Sequence, residues 1–268
     1  MKIAICLFGY TGSNKNRENI SSEFNPQLCF DANKNILYNK YDVDFFIHSW
    51  SKNFEDNLIR LYNPKKIKCE KQPSFLEIKL NDYNLDQVET YVPLIINKGN
   101  NVKNELKNLI IASNSRWTSN CKALNLMQDY AIENNCNYDL VIQMRLDLIF
   151  YKKPNLESLD KNIFYHPSRN HQKNISINDF FFISNYENAI SFSEIINNLT
   201  KLSIRPVCAA KQFLDKLHIK NREFLTLGKD FNLLRMHLAN KDIPYYKKNI
   251  FYILIKKIYY GFLKIFSY

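Results

Sequence analysis

The sequence predicts a three-layer α/β sandwich around a mostly parallel central sheet, and three observations support this prediction. Short apolar segments of strand length alternate along the chain with stretches whose apolar residues have helical spacing. The first apolar segment ends in a glycine-bearing polar loop, the usual start of an α/β nucleotide domain. Apolar residues make up 46% of the 268 residues and charged residues 24%, which excludes a disordered chain and suits one substantial core.

The individual elements follow from the spacing of the apolar residues. Strands are predicted at residues 1–8, 43–47, 66–70, 138–144 and 180–184. Helices are predicted within 51–60, over 116–134, from the last of these strands to residue 199, and over 209–217. The polar and weakly patterned region at about 71–110 is interpreted as an insertion or flexible region within one domain that spans residues 1–249.

Charge and cysteine usage limit the partners and the compartment. The formal net charge of +11 favours anionic partners, namely nucleic acid, anionic lipid or phosphorylated small molecules. Because the chain has no dense basic block and no nucleic-acid-binding motif, we expect no nucleic-acid partner. The six cysteines form no CxxC pair and the N-terminus lacks a cleavable signal peptide, so the sequence predicts free thiols in the cytoplasm.

The segment 250–268 differs in character from the rest of the chain. It contains no acidic residue, and Lys256, Lys257 and Lys264 cluster on one side of a helical wheel, opposite a large apolar face. A helix of this kind is short for a membrane span and suits the interface, so we expect a basic amphipathic helix on the inner face of the bacterial inner membrane. The alternative is a C-terminal helix packed on the domain.

The strongest local signal lies where the strand at 138–144 ends. Arg145 and Asp147 follow that strand two positions apart, and an extended chain would place both side chains on the same side. In open α/β sheets, ligands bind outside the carboxyl ends of the strands. A guanidinium group suits a phosphate, and a carboxylate suits a divalent cation or a ribose hydroxyl, so the pair predicts a nucleoside diphosphate site. A structural Arg–Asp pair that caps the strand is the alternative.

The segment 116–150, RWTSNCKALNLMQDYAIENNCNYDLVIQMRLDLIF, resembles the WavE-like glycosyltransferases of bacterial capsule and lipopolysaccharide synthesis. The opening KIAICLFGYTG and the segment DVDFFIHSW are similar to the first two strands of those enzymes. The resemblance implies a GT-A, Rossmann-like catalytic domain, a nucleotide-sugar donor and a divalent cation. The chain has Arg145 in place of the first aspartate of the usual Asp-x-Asp motif, so Mg²⁺ or Mn²⁺ is expected at Asp147 alone. No organic cofactor is expected.

Two strand ends carry further candidates for the donor site. The loop after the first strand is implied by the resemblance to hold the nucleobase and ribose through its backbone, and it consists of Phe8, Gly9, Tyr10 and Thr11. After the second strand, Trp50 is a candidate for stacking on a base or sugar and His48 for a hydrogen bond to phosphate. A His and a Trp at a strand end are also common packing residues, and that alternative stays open.

Three candidates come from the predicted helix 116–134 and from the segment before the last strand. Ser119 and Lys122 are placed at the start of that helix, where backbone amides suit a phosphate, and an ordinary N-cap with a solvated lysine is equally compatible. Asp179, just before a buried strand, is the candidate general base that removes the proton of the acceptor hydroxyl. Binding of the acceptor hydroxyl, or a turn or cap residue, is the alternative.

The function predicted from these features is transfer of a sugar from a nucleotide-sugar donor, UDP by default, to a capsular or lipopolysaccharide acceptor that is a saccharide or a lipid-linked saccharide. A nucleotidyltransferase on the same kind of sheet is one alternative, and the absence of GxxxxGK[ST] and GxGxxG motifs weighs against it. A membrane-peripheral nucleotide-binding module without transferase activity is the other.

Overall fold

The structure, a computed structural model, describes residues 1–11, 26–75, 82–83, 102–168 and 175–234. The predicted amphipathic helix 250–268 and part of the predicted insertion at 71–110 lie outside the described residues. In the part of the chain that is described, no helix is both long enough and apolar enough to cross a membrane. None of the six cysteines forms a disulfide bond.

A mixed seven-stranded sheet with mostly parallel strands forms the centre of the protein, as the sequence predicts. The strands are β1 (Lys2–Gly9), β2 (Asp42–Ser49), β3 (Lys66–Cys69), β4 (Leu140–Arg145), β5 (Leu148–Phe150), β6 (Phe164–Ser168), β7 (Phe181–Ser184), β8 (Asn221–Thr226) and β9 (Phe231–Leu233). The order in the sheet is β3-β2-β1-β4-β7-β6-β8, and β5 pairs with β9 in a separate two-stranded sheet. Only β7 is antiparallel to its neighbours in the large sheet.

Helices pack against both sets of side chains that β1 presents. The helices are α1 (Pro26–Lys34), α2 (Glu55–Tyr62), α3 (Val102–Glu133), α4 (Tyr186–Ser193) and α5 (Pro206–Lys216). Odd-numbered residues of β1 share a core cluster with residues of α1 and α2, whereas the even-numbered ones share a cluster with residues of α3 and α4. Strand β1 is therefore buried on both faces, which explains its continuous apolar sequence.

Helix α3 begins earlier than the sequence predicts, within the region at 71–110. The helix begins at Val102 and runs for 32 residues, so the last part of the predicted insertion is its first two turns. Leu106 and Ile110 are buried at a spacing of four residues and fix this end of the helix on the protein. The start of this helix was predicted too late in the sequence because one buried apolar residue per turn gives a weak periodic signal among polar neighbours.

The order of the strands creates a switch point between β1 and β4. From β1 the chain adds β2 and β3 on one side, and it then returns to place β4 on the other side of β1. Both strands are parallel, and Phe8 near the end of β1 pairs with Arg145 at the end of β4. In open α/β sheets such a point leaves a crevice at the carboxyl ends of the two strands, where ligands bind.

Candidate functional site

The predicted site residues converge on the carboxyl edge of strands β1 to β4. Backbone hydrogen bonds tie this edge together, since Trp50 N donates to Gly9 O over 3.1 Å and Leu146 N donates to Phe8 O over 3.1 Å. The segment before β7 reaches the same edge, because Arg145 N donates to Phe180 O over 3.3 Å. Strands and segments that are distant in the sequence therefore supply one continuous site.

Arg145 and Asp147 form a two-fold hydrogen-bonded ion pair. Arg145 Nε donates to Asp147 Oδ1 and Nη2 donates to Oδ2, each over 2.7 Å. Burial disfavours the charged guanidinium, but the charge and hydrogen bonds of Asp147 outweigh it and raise the pKa of Arg145. A turn at residues 146–147, rather than the extended chain of the sequence prediction, brings the two side chains together. The capping ion pair that the sequence left open is thus present.

A second ion pair lies beside the first. Arg116 Nε of α3 is 2.6 Å from Oδ2 of Asp179, and the Arg116 guanidinium lies 4.8 Å from the centre of the Phe8 ring. The charge of Asp179 also acts on Arg145, which places the two pairs within electrostatic reach of each other. We call these four residues, Arg116, Arg145, Asp147 and Asp179, the arginine–aspartate cluster.

His48 joins the ends of β1, β2 and β3 through a buried hydrogen-bond network. Its Nδ1 is 2.8 Å from Ser119 Oγ and its Nε2 is 3.2 Å from Glu70 Oε1. Ser119 Oγ also accepts a hydrogen bond from Gly9 N over 2.9 Å. Because His48 is fully buried and uses both ring nitrogens, its geometry fits a positioning residue rather than the predicted phosphate ligand.

The placement of Ser119 and Lys122 differs from the sequence prediction. Both lie well inside α3, where the backbone amides donate within the helix and offer no N-terminal anion site. Ser119 holds His48 and Gly9, and Lys122 forms an ion pair with Glu70 while its ammonium lies 5.2 Å from the centre of the Trp50 ring. The predicted start of the helix was wrong, so a phosphate role through helix amides does not apply to either residue.

Trp50 and Thr11 are packed in this structure. Trp50 is only 5% exposed, its indole N–H donates to Ser115 O over 3.2 Å, and its ring meets His48 edge-on at 4.5 Å. This geometry fits the packing alternative better than stacking on a nucleobase. Thr11 is buried and its backbone N–H donates to Ser51 Oγ over 3.0 Å. Gly9 has a positive φ of 108°, a backbone conformation that only glycine adopts readily. Tyr10 connects Gly9 to Thr11.

The described residues do not fit a resident divalent cation. Both oxygens of Asp147 accept hydrogen bonds from Arg145, and the guanidinium charge repels a second cation at the same carboxylate. Across the described ranges, no group of three or more His, Cys, Asp or Glu side chains is arranged to hold a metal ion. Mg²⁺ or Mn²⁺ at Asp147 stays a prediction that these contacts do not support. No step of the proposed chemistry depends on a metal ion.

Sequence reasoning missed two residues of this site, Arg116 and Glu70. Each acts through a partner that is distant in the sequence, and no local pattern identifies such a partner. A weak signal was available for Glu70, because it directly follows β3 at the edge where the other strand ends had already supplied candidates. The segment 116–150, for which a resemblance is expected from the sequence, begins at Arg116, but no role was predicted for that residue.

The pH dependence of stability should report the buried state of His48. Burial lowers the pKa of His48 from 6.5 to about 4, so the unfolded chain binds a proton that the folded protein does not bind between these values. The free energy of unfolding should therefore be largest above pH 6.5 and fall by up to about 3 kcal/mol as the pH drops to 4. Urea unfolding at several pH values measures this loss.

The matched variant for this prediction is His48→Gln, which keeps hydrogen-bonding capacity but does not titrate. The difference in stability between the two proteins should shrink as the pH drops from 6.5 to 4. His166 is buried with a lowered pKa as well, and the comparison removes its contribution because both proteins contain it. A difference that is constant over this range would contradict the buried, neutral state of His48.

Comparison of the sequence with protein families and with curated proteins identifies no relative. No protein-family profile matches the chain, and no curated protein is significantly similar to it.

Proposed function

We propose that the protein is a glycosyltransferase that moves a sugar from a nucleotide-sugar donor to a saccharide or lipid-linked saccharide acceptor. The observation that carries this proposal is the position of the arginine–aspartate cluster at the switch point between β1 and β4. Two guanidinium groups and two carboxylates meet where an open α/β sheet binds nucleotides. The resemblance to the WavE-like enzymes rests on the same strand ends and supports the same class of donor.

Arginine residues would supply the electrostatic part of the reaction. As the bond between the anomeric carbon and the phosphate oxygen breaks, its electron pair stays on the nucleoside diphosphate. Arg145, held in place by Asp147, provides a fixed positive charge for that leaving group. The raised pKa of Arg145 keeps this charge at every physiological pH. The guanidinium takes over part of the charge neutralisation that a metal ion provides in related enzymes.

Asp179 would act on the acceptor. Its carboxylate belongs to the arginine–aspartate cluster and is partly accessible, with 12% of the side chain exposed. The acceptor hydroxyl loses its proton to this carboxylate while its oxygen forms the new bond to the anomeric carbon. The proton of the acceptor hydroxyl thus goes to Asp179, and the electron pair of the broken bond leaves with the nucleoside diphosphate.

The proposal extends to the fold type, the acceptor and its location, and the donor nucleotide. The mixed sheet, with one antiparallel strand next to β4, is compatible with the GT-A three-layer sandwich that the resemblance implies. A capsular or lipopolysaccharide acceptor would lie at the inner face of the bacterial inner membrane, where the basic segment 250–268 would hold the enzyme. UDP is the first donor nucleotide to test.

Ligand-induced stabilisation tests the proposal most cheaply. Thermal unfolding is measured with UDP, GDP, CDP, ADP and dTDP, each in EDTA and with Mn²⁺ or Mg²⁺ added. One diphosphate should raise the melting temperature more than the others, because a ligand that binds only the folded state stabilises it by mass action. At 100 times its dissociation constant, the gain is about 2.7 kcal/mol.

Each arm of this experiment has a defined meaning. A shift in EDTA supports the arginine-based site, whereas a shift that requires the metal supports a cation at Asp147. As a matched control, Arg60→Lys changes an exposed arginine of α2 whose described hydrogen bond goes to Asn57, and it should not alter the shift. No stabilisation by any of the five nucleotides would contradict both the transferase and a nucleotide-binding module.

A further inference from the structure

Within the arginine–aspartate cluster, two guanidinium groups are matched by two carboxylates. Each of its two guanidinium groups is paired with one carboxylate, at 2.7 Å for Arg145 with Asp147 and at 2.6 Å for Arg116 with Asp179. The side chains are mostly buried but not sealed, with exposed fractions of 18%, 7%, 10% and 12% in that order. Pairing lowers the cost of keeping four charges in this environment.

A diphosphate competes with the carboxylates for the same guanidinium groups. Guanidinium groups bind phosphate and carboxylate oxygens with the same geometry, and a diphosphate carries more negative charge than one carboxylate. An anion that enters the crevice at the switch point therefore meets two arginines that are already charged and positioned. To bind both of them, it has to replace at least one carboxylate.

The two pairs differ in how they are held. Arg145 and Asp147 are two positions apart in the chain and are joined by two parallel hydrogen bonds. Arg116 and Asp179 come from different elements, α3 and the segment before β7, so their side chains can part while both backbones stay in place. The Arg116 guanidinium also lies against Phe8 at the end of β1, on the side of the loop predicted to hold the nucleoside.

We propose that the donor diphosphate takes Arg116 away from Asp179. Arg116 then binds the phosphates together with Arg145, and the carboxylate of Asp179 becomes available to the acceptor hydroxyl. This inference rests on the proposed function and assigns Arg116 as a second diphosphate ligand. It also implies an order of events, because Asp179 is released for the acceptor only after the donor has bound.

The exchange makes an unusual prediction for Asp179→Asn. The neutral amide competes less well for Arg116, so the variant should bind inorganic pyrophosphate about three- to tenfold more tightly than the wild type. Arg116→Lys should bind it about tenfold more weakly, because the planar two-donor contact is lost. Binding is measured by isothermal titration calorimetry on the full chain in EDTA, first with pyrophosphate, which needs no nucleoside site, and then with UDP.

Two further variants show whether these changes arise from the exchange. In the double variant Arg116→Lys with Asp179→Asn, the gain from the Asn substitution should be much smaller, because the arginine that it frees is absent. Asp215→Asn removes an exposed aspartate of α5 that pairs with Lys211, and its affinity should equal that of the wild type. Circular dichroism and thermal unfolding verify that each variant is folded.

The results separate this inference from the function on which it rests. If the wild type binds UDP and releases it from a UDP-sugar, but Asp179→Asn leaves the pyrophosphate affinity unchanged or weaker, the transferase stands and the exchange is wrong. If Asp179→Asn does not fold, Arg116→Lys decides alone, and wild-type affinity in that variant overturns the inference. If the wild type binds neither pyrophosphate nor any of the five nucleotides, both proposals fall together.

Discussion

Asp179→Asn should lower the rate of sugar transfer by at least about 100-fold, while the protein still binds its donor nucleotide. The loss is of the size expected when a general base is removed, because the amide cannot accept the proton of the acceptor hydroxyl. The isosteric amide keeps the shape of the carboxylate, so much of the packing around the 2.6 Å ion pair between Arg116 and Asp179 is retained. The rate is measured as labelled sugar transferred per enzyme at saturating donor.

The affinity of Asp179→Asn and of the wild type for the nucleoside diphosphate shows whether the loss of rate arises at the acceptor or at the donor. A general base acts on the acceptor, so its loss should leave donor binding intact, or stronger if Arg116 is freed. Asp215→Asn, on the exposed face of α5, should transfer at the wild-type rate. Transfer within about threefold of wild type by Asp179→Asn would remove the base role from this residue, since base catalysis contributes at least about 100-fold.

Asp147→Leu should be the most destabilising substitution at the site, and adding Arg145→Met should restore most of the lost stability. The single change leaves the Arg145 guanidinium mostly buried and without the two oxygens of the Asp147 carboxylate as acceptors, which costs about 3–5 kcal/mol. Replacing both partners by apolar residues of similar volume is often nearly neutral. Urea unfolding of the wild type, the single variant and the double variant measures these free energies.

The double variant separates stability from function. If the pair serves only as a strand cap, the restored protein should retain whatever nucleotide binding and transfer the wild type has. If Arg145 holds the diphosphate, the restored protein should lose at least about tenfold in affinity for the nucleotide, the effect of removing one charge-assisted contact. A stable double variant with full affinity would identify the pair as purely structural.

Part of the sheet could be predicted, because the apolar residues of β1, β2, β3, β4 and β7 indicate burial, whereas β5, β6, β8 and β9 were not predicted. Strand β1 is buried on both faces and appears as a continuous apolar segment, and β4 is apolar except for Gln143 and Arg145, so both are recognised without knowledge of a partner. The antiparallel direction of β7 and the pairing of β5 with β9 could not be read in this way, because they depend on how distant segments meet. The start of α3 was missed since its first turns bury few apolar residues.

The candidate site was predictable only where its chemistry is local. Arg145 and Asp147 are two positions apart, so the sequence identified the pair, although not that each neutralises the other. The contacts of Asp179 with Arg116 and of His48 with Glu70 join different elements, and only the fold brings them together. Ser119 was selected for a helix end and instead links His48 to Gly9, which lies 110 residues away in the sequence.

The most direct test of the central claim is whether the full chain releases a nucleoside diphosphate from a nucleotide sugar. The protein is incubated with a panel of UDP-, GDP-, CDP- and dTDP-sugars without acceptor, in EDTA and with Mn²⁺, and the free diphosphate is quantified. We expect slow release from one class of donor by the wild type and none above background by the double variant Arg145→Met with Asp147→Leu. Release from none of the donors, by a protein verified as folded, would contradict a donor site at the switch point between β1 and β4.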